Sequence, residues 1–395
     1  MFRFQKFPGY PDWFIPTIRL VLQAEIPTPT KPTLQFELSP EAAQHNMSVL
    51  QACNNNLHQY LLTQRGSFID FGSEFRHPEI LHLLLCHHPT WPRLRKILEE
   101  GSSWPLTPIS RYERIQKNEE LILRGNHKSA LKYHADLGKT LINEVSQGWM
   151  FPLPLPYISC LDHGELAPVG MDDKQWSVLP DGSRQQKLRL THDQSFETVA
   201  GPSVNARVLT HELEPLYYGG CLSRVIHYML SLRLRHPKVR ILAGKCDIKA
   251  AYRRITLHGD TAAKYTIMYN GLGLVSSRLT FGGSSCPNEF CIPAEMTTDL
   301  ANDILHCPAW DSRVLSSPHA EKLRPPKFLN QSIPFATSLD LDVEVPPDDW
   351  GRIDDFIDDG IVVTPDIGEN VARAIPSMLL AIHVMFRPID SKVNI

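Results

Sequence analysis

Residues 352–363 read RIDDFIDDGIVV. Strand-forming residues flank Asp358 and Asp359 on both sides and Gly360 follows, a pattern that predicts a β-hairpin with the two aspartates at or next to its turn. Adjacent carboxylates repel, and each raises the other's pKa unless a cation neutralises them. A divalent metal is the usual neutraliser, and Mg²⁺ takes hard oxygen ligands with one or two carboxylates per ion. Taken alone, the run reads first as an acidic turn facing water.

Three other segments change that balance. In KCDIKAAYRRITL, Asp247 follows the apolar run VRILAG and precedes Ala250-Ala251-Tyr252, which puts a carboxylate at a strand end. A strand carrying Asp247 beside the hairpin carrying Asp358 would bring three carboxylates to one point, the arrangement used for two-metal phosphoryl or nucleotidyl transfer. QQKLRLTHDQSF places Lys187 and Arg189 on one side of a strand by period-two alternation, a pair suited to gripping a triphosphate. LTFGGSSCPNEF sets Gly282-Gly283 and two serines ahead of a helical run, so that backbone can approach a ligand closely.

Working outward, residues 1–40 are rich in proline and aromatics without a sustained period. From Pro40 apolar residues recur at three- and four-residue steps, which predicts a mainly helical accessory region over 1–150. The Pro-rich FPLPLPYISC (151–160) reads as a linker, with a boundary near 150. Beyond it, QKLRLTH, VRILAGKCDI, AKYTIMYN and GIVVTP predict strands, and 216–235 and 286–306 predict helices. That mixture predicts an α+β layered domain over 151–395, with a Pro-, Ser- and Asp-rich insertion at about 308–350. HPEILHLLLCHHP offers His77, His82, Cys86, His87 and His88, but the spacing fits no zinc finger and the leucines predict a packed helix.

The chain has 395 residues and a formal net charge of −3, which on its face argues against a nucleic-acid partner. That figure is a cancellation: residues 181–258 carry +7 and residues 338–369 carry −10. Eight cysteines lack CxxC pairs and suit reduced, intracellular thiols, in nucleus or cytoplasm. No apolar stretch reaches the roughly 20 residues of a membrane span, and MFRFQKFPGYPDWF has no signal-peptide core, so neither a membrane nor secretion is expected.

Taken in order, the four segments resemble a reverse transcriptase. KLRLTHDQSF…SVNAR resembles the fingers motif with its basic strand and downstream Asn; KCDIKAAYRRI resembles the first palm motif, with an aromatic five residues after the aspartate. LTFGGSSCPNEF is similar to the LPFG-type loop, and FIDD to the aromatic-x-Asp-Asp hairpin. The phrasing looks most like eukaryotic retroelements, such as a tyrosine-recombinase-type retrotransposon.

The resemblance implies a right-hand polymerase fingers and palm core that extends a primer 3′-OH on an RNA or DNA template, using deoxynucleoside triphosphates and two Mg²⁺ ions, with Mn²⁺ as a substitute. It implies Asp247 and Asp358 as metal ligands, Asp359 as the second member of the pair, and the Ile248 carbonyl completing one coordination sphere. Tyr252 would be the steric gate against a 2′-hydroxyl, Lys187 and Arg189 would hold the triphosphate, and Phe281 and Gly282 would shape the nucleotide pocket. The sequence departs from the family at Phe356, where Tyr is usual, and at Thr280 in the loop, and a neighbouring pair, Asp354-Asp355, competes with Asp358-Asp359. The chain runs 36 residues past Asp359, so the resemblance also implies a C-terminally truncated copy without a thumb. The alternative is a decayed or domesticated relative that binds nucleic acid without polymerising.

Overall fold

A computed structural model describes residues 11–178, 181–215, 217–323 and 350–387. Most of the expected insertion, residues 324–349, lies outside the described residues.

Among the described residues, helices fill the chain up to Ser146: α1 (Phe14–Gln23), α2 (Pro40–Ala52), α3 (Leu57–Thr63), α4 (Pro78–Leu85), α5 (Trp91–Glu100), α6 (Arg111–Arg124), α7 (Lys128–Lys132) and α8 (His134–Ser146). Local chemistry fixes several of their starts. Ser39 accepts from the Ala42 N–H with Pro40 at the first turn, and Ser110 and Glu113 form a reciprocal capping box on α6. The histidine-rich run is a packed helix: Leu81, Leu84 and Leu85 are buried, His82 Nδ1 accepts from Trp91 Nε1, and His88 Nε2 meets Asp299 at 3.1 Å.

The proline-rich 151–160 stretch is not a linker. Met150–Pro154 is a buried strand, β1, paired antiparallel with β7 at the edge of a four-stranded sheet. Proline lacks an N–H for a ladder, and an edge strand needs donors on one side only, so Pro152 and Pro154 are accommodated there. The other members of that sheet are β2 (Leu166–Ala167), β6 (Thr266–Tyr269) and β7 (Leu272–Ser276), in the order β1-β7-β6-β2. β3 (Val169–Val178) and β4 (Arg184–His192) form a separate antiparallel ribbon. Leu188 and Leu190 on one face of β4 pack toward Leu137 and Leu141 of α8, which leaves the other face to water.

A third sheet, order β5-β9-β8, is built from β5 (Ile241–Asp247), β8 (Arg352–Phe356) and β9 (Asp359–Pro365). α12 (Asn370–Met385) lies close on one face: a Cβ on Gly244 would run into Ile375, and one on Gly360 into Met378. α9 (Cys221–Arg235) covers the other face through Tyr228 and Leu232 against Val363. α10 (Gly259–Lys264) leads into β6, and α11 (Cys286–Leu305) is buried along most of its length. Buried Arg76 ties α1 to α12, donating from Nε to His383 O in the last turn of α12 and from Nη1 to Val21 O in the last turn of α1. The architecture is thus mixed α and β. Among the described residues no helix is long and apolar enough to cross a membrane.

Candidate active site

The hairpin forms where the sequence places it. Phe356 pairs with Asp359, leaving Ile357-Asp358 as a two-residue turn between β8 and β9. Ile357 has φ +61°, the left-handed sign that a II′-type turn demands at its first central residue and that glycine normally supplies. A β-branched residue there is strained, and such strain persists only where the surroundings over-determine it.

β5 delivers Asp247 to the same end. Its ladder with β9 runs to the pair Asp247–Asp359, and the Ile248 N–H then donates to Asp358 O at 3.0 Å. Cross-strand partners share a face, so Asp247 and Asp359 lie on the α9 side of the sheet together with Lys245, two residues back. Asp247 is exposed, Asp358 and Asp359 are half-buried, and Ile248 is buried. Burial pushes the Asp358 carboxyl above its ordinary pKa; the Asp359 and Asp247 charges push the same way, while its own backbone N–H and Lys245 oppose them. Asp359 has a partner of its own: Lys245 Nζ is 2.7 Å from its Oδ2. That contact, with the neighbouring Asp247 and Asp358 charges, raises the lysine's pKa.

The competing pair is held elsewhere. Asp354 is clamped by both sides of the Arg224 guanidinium, Nε to Oδ2 and Nη2 to Oδ1, each at 2.6 Å. Asp355, opposite Gly360, points to the α12 side and is buried.

Beside the turn, Tyr252 sits on a short 3₁₀ turn, Ala251–Arg254. Its ring centre lies 5.0 Å from Phe281 and 5.7 Å from Phe290. Burial raises its phenol pKa, with further push from neighbouring cysteines, Tyr218 and Asp358. Phe281 is 59% exposed and presents a flat apolar face. Gly282 follows with φ +112°, and any Cβ there would collide with His192 O. Lys187 and Arg189 project from the exposed face of β4, as the alternation predicted. The far end of that strand touches the glycine loop, the His192 N–H donating to Phe281 O at 3.2 Å.

Hard oxygen donors suit Mg²⁺, and Asp247 with Asp358 is a pair whose mutual repulsion a cation would relieve. Among the described residues, no group of three or more His, Cys, Asp or Glu side chains is gathered closely enough to hold a metal. Of the four expected ligands, the structure sets Asp247 and Asp358 within reach of each other's charge, places Ile248 next to them, and leaves Asp359 on Lys245. Sequence reading missed Lys245 and Arg224. Period-two counting back from Asp247 would have put Lys245 on the carboxylate face.

No family model and no curated protein matches the chain. Among solved structures, it is similar to native prototype foamy virus protease-reverse transcriptase at 12% identity and TM-score 0.36, covering 72% of this chain and 25% of that one. It is also similar to the foamy viral protease-reverse transcriptase dRH in complex with double-stranded DNA, at 12% identity and TM-score 0.38 over 76% of this chain and 39% of that one. A further foamy viral protease-reverse transcriptase complex with double-stranded DNA gives 12%, 0.33, 76% and 47%. The chain therefore spans less than half the length of each of these structures.

Proposed function

We propose that this chain is the fingers and palm of an RNA-directed DNA polymerase that adds deoxynucleotides to a primer 3′-OH. The observation that carries the reading is the meeting of Asp247, at the end of β5, with Asp358, in the strained β8–β9 turn, beside the Tyr252–Phe281 platform. Asp247 and Asp358, with the Ile248 carbonyl, would hold Mg²⁺. Bound there, the metal supplies charge stabilisation for in-line phosphoryl displacement and lowers the pKa of the attacking hydroxyl. Tyr252 would pack under the deoxyribose and exclude a 2′-hydroxyl, with Phe281 bracing its ring. Lys187 and Arg189, on the exposed face of β4, would hold the triphosphate. The basic 181–258 stretch would face the template and primer backbones.

The Lys245–Asp359 ion pair favours a second reading, a non-catalytic relative that binds nucleic acid, because the lysine already neutralises one expected ligand. Primer extension with Mg²⁺ on wild type and Asp358→Ala separates the two. The polymerase reading expects extension by wild type and a loss of at least about a hundredfold in the variant. No extension by a folded wild type removes the enzymatic reading, and equal extension by both removes the site assignment.

A further inference from the structure

The sites discussed above lie on different pieces of chain: the cations on β4, the platform ring on the loop before α11. One side chain joins them. The half-buried Asn205 carboxamide donates from Nδ2 to Gly282 O at 2.8 Å and to Ser195 Oγ at 2.8 Å, and its Oδ1 accepts from the Ser284 N–H at 2.9 Å. The amide's orientation follows from its partners, since a carbonyl only accepts and a backbone N–H only donates. Its own backbone N–H donates to Gln194 O at 3.0 Å, so Asn205 is fixed to the segment leaving β4 before it reaches the glycine loop. The His192 N–H to Phe281 O bond and the absence of a Cβ at Gly282, where one would strike His192 O, bring the two segments into backbone contact at the same place.

We infer that Asn205 is a positioning residue that latches the 281–285 loop to the exit of β4, so that the triphosphate-holding cations and the Phe281–Tyr252 platform keep a set separation. The inference rests on the polymerase reading for its consequence in turnover, but the latch can be read without turnover. Asn205 uses both amide hydrogens and its oxygen on three different groups; shortening it leaves Gly282 O, Ser195 Oγ and the Ser284 N–H to water. The loop then keeps the His192 contact, the Phe281–Tyr252 ring contact and the start of α11.

Hydrogen exchange by peptide mass spectrometry on the full chain compares wild type with Asn205→Ala and the isosteric Asn205→Asp, which turns the donor into an acceptor facing Gly282 O. Amides of 281–285 are expected to exchange about tenfold faster in both variants, with β6 and β7 unchanged. In extension of oligo(dT) on poly(rA), the KM for dTTP is expected to rise about tenfold while kcat stays within about twofold. Unchanged exchange at 281–285 in Asn205→Ala, or a wild-type-like Asn205→Asp, overturns the latch. Faster exchange across the whole chain with an unchanged KM also overturns it, because Asn205 would then only stabilise the fold. If wild type extends no primer, the polymerase reading fails, and the exchange arm still decides the latch.

Discussion

Lys245 reaches diagonally across the β5–β9 ladder and sets its ammonium 2.7 Å from an Asp359 carboxylate oxygen. The lysine thus occupies the charge that a divalent cation would use, on the sheet face that also carries Asp247.

Removing that competitor frees Asp359. Lys245→Met is expected to lower the Mn²⁺ concentration for half-maximal binding, followed by paramagnetic broadening, by up to about fivefold, the range of a partly exposed ion pair. An unchanged or higher midpoint would show that Asp359 takes no part in holding metal.

Tyr252 packs against Phe281 and Phe290, and in the polymerase reading that packing would hold its ring against a bulkier sugar. Tyr252→Ala is expected to raise ribonucleotide incorporation relative to deoxynucleotide by at least about tenfold, measured as a ratio of kcat/KM. A ratio equal to wild type refutes the gate.

Arg224 neutralises Asp354 with two hydrogen bonds in a site where both side chains are largely buried. Arg224→Met strands that carboxylate, and urea denaturation is expected to show a loss of about 3 kcal/mol. A change below about 0.5 kcal/mol would mean that water replaces the guanidinium.

Asp303 on α11 is buried near Asp299, and burial pushes its carboxyl up to about 8. The native state therefore holds this proton while the unfolded chain has released it, and native stability falls as pH rises from about 4 to about 8. The contribution is fully present below the unfolded pKa and gone above the folded one. Asp303→Asn removes the slope: the variant should match wild type near pH 4 and exceed it by a few kcal/mol near pH 9 in urea titrations. Parallel stability curves for the two proteins would place the Asp303 titration elsewhere.

The hairpin, β5 and the α9 and α11 helices were legible because period and turn chemistry agree there. GIVVTP and VRILAGKCD alternate cleanly, and Asp358-Asp359-Gly360 punctuates them. β1 was not legible, since Pro152 and Pro154 argue against a strand until its place at a sheet edge is known. Within the helical period that runs to about 150, the stretch 111–149 divides into three helices, the first ending before Gly125, whose φ of +73° breaks the run. Lys245, Arg224 and the Asn205 bonds depend on which strand lies beside which, and no local pattern carries that information. Equally, spelling alone set Asp354-Asp355 against Asp358-Asp359 in the sequence, and it could not show that Arg224 holds Asp354 or that Lys245 holds Asp359.

The left-handed Ile357 has a final consequence. Its backbone sits about 1–2 kcal/mol above what a glycine would need. Replacing it with glycine would relieve that strain but give up the packing of the Ile357 side chain against the core. It would also give the turn slack, and the Asp358 carboxylate would wander over a wider cone of directions. At this corner of the molecule, backbone strain and side-chain packing pull in opposite directions, and the chain keeps the packing.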